Sequence, residues 1–302
     1  GDCHAAMAVL APLPRPAHER AIAAYRQALA LTTDRGVQVS LRERIAGIYL
    51  ALGDPAAAVA EYDAILTVAE IESYRAKIDY LAGQAMAGAG QTEAAIERYR
   101  RPVNLYPNAE YAYLALVELV NAGVEVDELQ RGLVDYYAGA SYPDAYGAAI
   151  RAFDRYLAAA SAGKADEALY RRALAQRAVE QPAAAMASLE ALIAGHPESR
   201  WLASAWLEKG ATLAAMGDVD GAVKIYQDTA AFFPATETAP QALWRAARLR
   251  EGQRSFGAAA GLYEELQRSF PGYEDSAEAL WRAALARHQA GEGKPAAANL
   301  RA

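Results

Sequence analysis

The chain has 302 residues, 54% of them apolar and 22% charged, with a formal net charge of −7. That balance excludes a disordered chain and general binding to nucleic acid, and no apolar run reaches the roughly 18 residues of a membrane span. About a quarter of the residues are alanine, against 5 Phe and 4 Met, which points to an all-α protein whose helices pack closely through small side chains.

The chain opens Gly1-Asp2-Cys3, without an initiator methionine or signal peptide. This suggests processing or excision from a longer protein. Cys3 is the only cysteine, so it has no intrachain disulfide partner. Asp2 before it argues against a lipid-anchoring site. Residues 11–17 (APLPRPA) read as extended. Ala21, Tyr25 and Ala28 then mark a helix over about 17–31.

Two similar phrases follow, ALGDPAAAVAEYDAIL (51–66) and AGAGQTEAAIERYRRPVNLYP (87–107). Gly53 and Gly90, Ala58 and Ala95, and Tyr62 and Tyr99 are each 37 residues apart. Pro102 falls inside the second predicted helix and should kink or shorten it. The register then breaks. Tyr99 and Phe153 are 54 residues apart, so one helix is expected to be lost or fused near residues 124–130, with a change of superhelix direction there. Ala149, Phe153 and Leu157 restore the earlier pattern.

The second half is more regular. Pro197, Pro234 and Pro271 are spaced by 37 residues, as are Leu189, Tyr226 and Tyr263, and Ala185, Ala222 and Ala259. Each unit reads as two helices. Around residues 200–234, a first helix ends at Gly217-Asp218, where glycine can take the positive φ of a helix C-cap, and a second ends at Pro234. Gly210 and Ala222 sit where the two helices would cross, and the tyrosine one turn on would fill the space between them. The last copy has its first helix over about 277–290 and then only KPAAANLRA. Because an open repeat exposes its stacking face, continuation past Ala302 is expected.

With these phrases in view, the chain resembles the tetratricopeptide repeat (TPR). It carries Gly-Asp in the turn, Ala-x3-aromatic in the second helix, and then Pro, with a period of about 37 residues and lengthened linkers. The resemblance implies a right-handed α-solenoid of helical hairpins, divided as N-terminal repeats 1–123, an irregular junction 124–163 and C-terminal repeats 164–302. RGLVDYYAGASYPDAYGAAIRAFDRYL (131–157) and the phrase ALWRAA, found at 242–247 and 279–284, are more narrowly similar to the superhelical domain of bacterial soluble lytic transglycosylases. That resemblance implies a non-catalytic scaffold outside the cytoplasmic membrane. It would position a separate lysozyme-like domain and could guide glycan strands or stem peptides of peptidoglycan. The alternative is a general protein- or peptide-binding module, envelope-bound or cytoplasmic.

No catalytic, cofactor or metal motif appears. Glu72-Ser73 and Glu198-Ser199 carry the Glu-Ser pair of the transglycosylase family, but no Gly-Leu-Met-Gln phrase follows either, and both read as helix N-caps. The four histidines are scattered. The binding candidates are cations on first helices, Arg245, Arg248, Arg282 and Arg287 on consecutive ones and Arg171 and Arg172 on another, which could receive carboxylates of a peptide or glycan stem. Salt bridging between repeats to Glu251 and Glu278 is the preferred reading of these arginines. Tyr136 and Tyr137, clustered with Tyr142 and Tyr146, could stack on sugars or peptides or fill a seam. Trp206, Trp244 and Trp281 read as packing between repeats.

Overall fold

A computed structural model describes residues 15–159 and 163–292, and those residues form fifteen α-helices with no strand among them. The chain divides into two compact units, Gly1–Ala152 and Phe153–Ala302. The first contains α1 (Arg15–Leu31), α2 (Arg35–Ala51), α3 (Pro55–Leu66), α4 (Glu72–Gly88), α5 (Thr92–Leu105), α6 (Glu110–Asn121), α7 (Glu128–Ala138) and most of α8 (Asp144–Ala158). The second contains α9 (Ala165–Ala178), α10 (Pro182–Gly195), α11 (Leu202–Ala215), α12 (Val219–Phe232), α13 (Thr238–Gly252), α14 (Phe256–Ser269) and α15 (Ser276–Gln289).

Five helix pairs, α2/α3, α4/α5, α9/α10, α11/α12 and α13/α14, are hairpins, each with a three-residue turn. Within each unit every hairpin packs on the next, and first helices touch first helices: α4 meets α6, and α11 meets α13. This nearest-neighbour stacking is the organisation of a solenoid. The sequence expectation of an all-α repeat array therefore holds.

The turns have a common chemistry. Gly53, Gly90, Gly123, Gly217 and Gly291 have positive φ at helix C-termini. Asp54 and Asp218 then cap the second helices, accepting hydrogen bonds from Ala57 N (3.0 Å) and Gly221 N (2.9 Å). At the other end of the unit, His196, Phe233 and Phe270 close α10, α12 and α14 by donating to Leu192 O, Thr229 O and Leu266 O. The prolines at 197, 234 and 271 follow at once and prevent continuation.

The linkers that lengthen the repeat are ordered and are themselves repeated. The amides of Ser199, Thr236 and Tyr273 donate to the carbonyls of His196, Phe233 and Phe270. Those of Leu202, Ala239 and Ser276 donate to Ser199, Thr236 and Tyr273. Each linker is thus two consecutive turns that lead into the next helix.

Packing within a hairpin pairs a small residue on the first helix with a large one sixteen residues later. The pairs are Ala46 with Tyr62, Gly83 with Tyr99, Ala173 with Leu189, Gly210 with Tyr226 and Ala247 with Tyr263. All five large side chains are buried. A Cβ on Gly83 would lie 2.5 Å from the Tyr99 ring, so the absence of a side chain there is what lets α4 and α5 approach. Burying each such ring or leucine is worth about 1.5–3 kcal/mol.

Two local expectations are corrected. Pro102 does not shorten α5, which runs on to Leu105 and has the same 14 residues as α12 and α14. The helix loses one amide near its end, and Tyr106 N still donates to Pro102 O. In the 11–17 segment, Arg15, Pro16 and Ala17 are helical, because the first turn of a helix tolerates proline. The rest of that segment, with Cys3 and the KPAAANLRA tail from Lys294, lies outside the described residues.

The register break is visible as a helix count. Between the α4/α5 hairpin and α9 stand three helices, α6, α7 and α8, where two hairpins need four. A six-residue connection, 122–127, joins α6 to α7 in place of the usual three-residue turn.

Candidate binding surface

The six candidate arginines lie on α9, α13 and α15, and each contacts another side chain of its own unit. Arg172 donates to Asp154 (2.7 Å) and to Ser188 (3.1 Å). Arg245 reaches back one repeat to Glu208 on α11 (3.4 Å), and Arg177 pairs with the same carboxylate from the other side. Glu251 on α13 is shared in the same way. It accepts from Arg248 (2.9 Å), from Arg282 on α15 (3.4 Å) and from the Tyr263 hydroxyl (3.0 Å). Arg282 also holds Glu278 (2.7 Å) and lies over the Trp244 ring, 5.5 Å from its centroid. Arg287 forms a two-bond fork with Glu264 (2.7 and 3.0 Å) and also bonds Glu292 (2.6 Å). The flanking carboxylates hold the Arg287 guanidinium above its ordinary pKa. Arg171 lies over Trp201, 4.9 Å from its ring, which is itself stacked on Tyr170.

The geometry therefore uses most of the arginines as couplings between neighbouring helices or repeats, while Arg248 pairs within its own helix. Guanidinium groups that already satisfy carboxylates in a bidentate or shared way have less to offer an anionic ligand.

The first unit has the same kind of coupling at greater depth. Asp79 of α4 is almost wholly buried, between Arg98 (3.0 Å) and Arg101 (3.2 Å) of α5, and Arg98 also holds Asp63 of α3. Burial pushes the Asp79 carboxyl above its usual range, although the arginines around it act in the opposite direction.

The tyrosine cluster forms, in two parts. Tyr136 packs edge-on against Tyr137 (5.3 Å between centroids) and near Tyr146 (6.1 Å), whose ring fills the space a side chain on Gly139 would need. Tyr142 stacks separately on Tyr113 of α6, with centroids 4.7 Å apart. Tyr137 and Tyr142 remain on the surface. The tryptophans divide as well. Trp206 packs edge-on to Phe232 (5.5 Å) and Trp244 to Tyr263 (5.4 Å), ring contacts within one hairpin where packing between repeats was expected. Trp281 departs from expectation at 53% exposed. The residue one period after Tyr263 that would face it is Leu300, outside the described residues.

The Glu-Ser pairs differ from each other. Ser199 accepts from Trp201 N (3.0 Å) and donates to Asp166 (2.6 Å), which closes a turn, but the N-cap of α11 is Trp201 without a side-chain bond, so Ser199 is not the expected helix N-cap. Glu72 is already the first residue of α4, and Ile71 occupies the N-cap position without a side-chain bond, so the capping expectation fails there. Among the described residues, no group of three or more His, Cys, Asp or Glu side chains is placed to hold a metal, and no helix is long and apolar enough to cross a membrane.

Residues 167–199, the α9/α10 hairpin with its linker, match the sequence model of the tetratricopeptide repeat. The repeats are TPR-like. No curated protein matches the chain in sequence. Among solved structures, similar folds include MamA (18% identical, covering 55% of this chain and 90% of that one, TM-score 0.42). Another is PilW, described as a widely conserved type IV pilus biogenesis factor (14% identical, 80% and 98% covered, TM-score 0.45). A third is the C-terminal part of a TPR repeat-containing protein from Cytophaga hutchinsonii (14% identical, 87% and 94% covered, TM-score 0.41).

Sequence reasoning missed one feature of this TPR-like surface. Val117 and Val120 of α6 are 38% and 40% exposed. The signal was present in EYAYLALVELVN, which has apolar residues on more than one face. On α6 one apolar face, with Ala112, Ala115, Leu116 and Leu119, is buried, and Val117 and Val120 are at the surface.

Proposed function

We propose that this chain is a protein-interaction scaffold, a stack of TPR-like hairpins that presents helix surfaces to a partner. The observation that carries the reading is the internal use of its cations. Arg177, Arg245 and Arg282 lock successive hairpins through Glu208 and Glu251. The array is stiffened from within, while apolar side chains such as Val117, Val120 and Trp281 stay at the surface. A stiff surface loses little conformational entropy when it binds. Photo-crosslinking residues at Val117, Gln227 and Trp281 test the reading in the cells that make the protein. Discrete protein adducts at one or more sites are expected, and their absence at every site overturns it.

A second reading is favoured by the two ALWRAA phrases 37 residues apart: an extracytoplasmic scaffold beside a lysozyme-like domain acting on peptidoglycan. Packing also explains the phrases, since Ala242, Ala246, Ala247, Ala279, Ala283 and Ala284 are all buried. Calorimetric titration with glycan fragments and stem peptides tests this reading, and no heat beyond dilution sinks its glycan-guiding part.

A further inference from the structure

Between residues 110 and 146 the sequence has seven carboxylates, Glu110, Glu118, Glu125, Asp127, Glu128, Asp135 and Asp144, and one cation, Arg131. This segment carries most of the chain's net charge of −7. It is also the segment in which the hairpin pattern fails, with three helices and a six-residue connection.

Within it α6 carries apolar side chains at surface positions. Val117 and Val120 stand six and three residues before the positive-φ Gly123, where the regular helix α4 has the exposed Gln84 and Ala87 before Gly90. On α6, Ala112, Ala115, Leu116 and Leu119 are buried against the preceding hairpin, while Val117 and Val120 face outward. Tyr113, Val117 and Val120 are spaced i, i+4 and i+7 and so form one stripe, which Glu110 extends by one turn. Tyr142 widens the stripe by stacking on Tyr113 at 4.7 Å. The carboxylates of Asp135 and Asp144 are near enough to act on the Tyr113 phenol, which burial first and then these charges push up.

We propose that this face of α6, with Tyr142 stacked upon it, docks a basic segment of a partner protein, a stretch carrying lysine or arginine beside aliphatic side chains. The proposal rests on the interaction-scaffold reading above. The aliphatic side chains would lie on Val117 and Val120. The cations would meet the two phenol faces and the exposed carboxylates of Glu110 and Asp144, where ring quadrupole and full charge attract them together. The potential here is negative, so an acidic peptide or an anionic lipid surface is repelled.

Fluorescence anisotropy tests the proposal, using a labelled dodecapeptide of alternating arginine and leucine and its glutamate–leucine counterpart. Val117→Lys places a cation on an exposed stripe without touching the core, and Tyr142→Ala removes the stacked ring. Gln227→Lys makes the same charge change on an exposed site of the second unit. The arginine peptide should bind the natural chain. It should weaken by about tenfold or more on Val117→Lys, weaken on Tyr142→Ala, and be unaffected by Gln227→Lys, while the glutamate peptide does not bind. Unchanged circular dichroism and melting confirm that the variants fold. Three results overturn the proposal: no binding of the arginine peptide, equal losses in Val117→Lys and Gln227→Lys, or a concentration-dependent dimer abolished by Val117→Lys, which would make a second copy the occupant. Photo-crosslinks formed at Gln227 or Trp281 but not at Val117 would overturn this site and leave the scaffold reading standing.

Discussion

Gly210 on α11 lies directly against the ring of Tyr226 on α12, and a Cβ built on the glycine would come within 2.5 Å of the ring's Cε1. The equivalent positions in the flanking repeats hold Ala173 with Leu189 and Ala247 with Tyr263. The repeat therefore tolerates an alanine when the opposing side chain is smaller or the helices stand further apart. Gly210→Ala should force α11 and α12 apart and cost about 1–3 kcal/mol, the usual price of overpacking. Tyr226→Leu added to it should return part of that loss, because the pair then copies Ala173/Leu189. Denaturant melts of the single and double variants decide this. Additive losses would show that the two side chains do not compete for one space.

Two backbone positions lack the residue their geometry favours. Gly217 closes α11 at φ 87°. The residues one period before and after it, Glu180 and Arg254, take the same left-handed conformation at φ 58° and 59°. An L-residue with a Cβ pays about 1 kcal/mol to sit there, whereas glycine does not. Glu180→Gly and Arg254→Gly should each raise stability by several tenths of a kcal/mol, the relief being partly offset by glycine's greater freedom when unfolded. A lowered denaturation midpoint in both variants would contradict the strain.

How much of this was legible follows from the kind of feature. Positions fixed by local chemistry, such as the Gly-Asp turn at 217–218 and the closing prolines, could be read directly, and α12 falls on the residues expected of it. The Ala-x3-Tyr pattern marked Tyr62, Tyr99, Tyr226 and Tyr263 as core, and all four are buried. Glu180 and Arg254 were not legible, because nothing in either side chain announces a positive φ and only the repeat register does. The arginines were legible as a set but not in their pairing, since Glu208 and Arg245 are 37 residues apart and meet only once hairpins stack. The exposed stripe on α6 was legible, because the apolar residues of EYAYLALVELVN fall on more than one face. Aligning Gly123 with Gly90 puts Val117 and Val120 where α4 has the exposed Gln84 and Ala87.

The buried tyrosines predict an alkaline limit. Burial, and then the nearby Glu43 or Glu251 charge, pushes the Tyr62 and Tyr263 phenols up to about 12 from an ordinary 10.0. Between those two pH values the unfolded chain has released these protons and the folded chain still holds them. Stability is therefore full below pH 10 and falls as pH rises toward 12. Each pH unit of delay is worth about 1.4 kcal/mol per group, so the two sites together remove several kcal/mol across that window. Urea midpoints measured at pH 9 and pH 11 should fall, and Tyr263→Phe should flatten the slope. An unchanged slope in that variant would remove Tyr263 from the explanation.

The Asp79–Arg98 pair gives the opposite limb of the pH profile. Arg98 is largely buried and bonds both Asp79 and Asp63, so replacing it with methionine keeps most of the packing volume and removes the charge. Asp79 would then keep only the more exposed Arg101 as a close partner. Stripping one partner from a buried ion pair costs about 3–5 kcal/mol when the other charge cannot escape. Asp79 can escape by taking up a proton, since burial already raises its pKa and the loss of Arg98 raises it further. Arg98→Met should therefore be strongly destabilising at pH 7 and progressively less so as pH falls through the raised Asp79 pKa. Asp79→Asn in the same background should remove that pH dependence. Denaturation midpoints of both variants between pH 4 and 7 test the pair. A cost for Arg98→Met that is constant across that range would mean lost packing, not the stranded carboxylate, accounts for the damage.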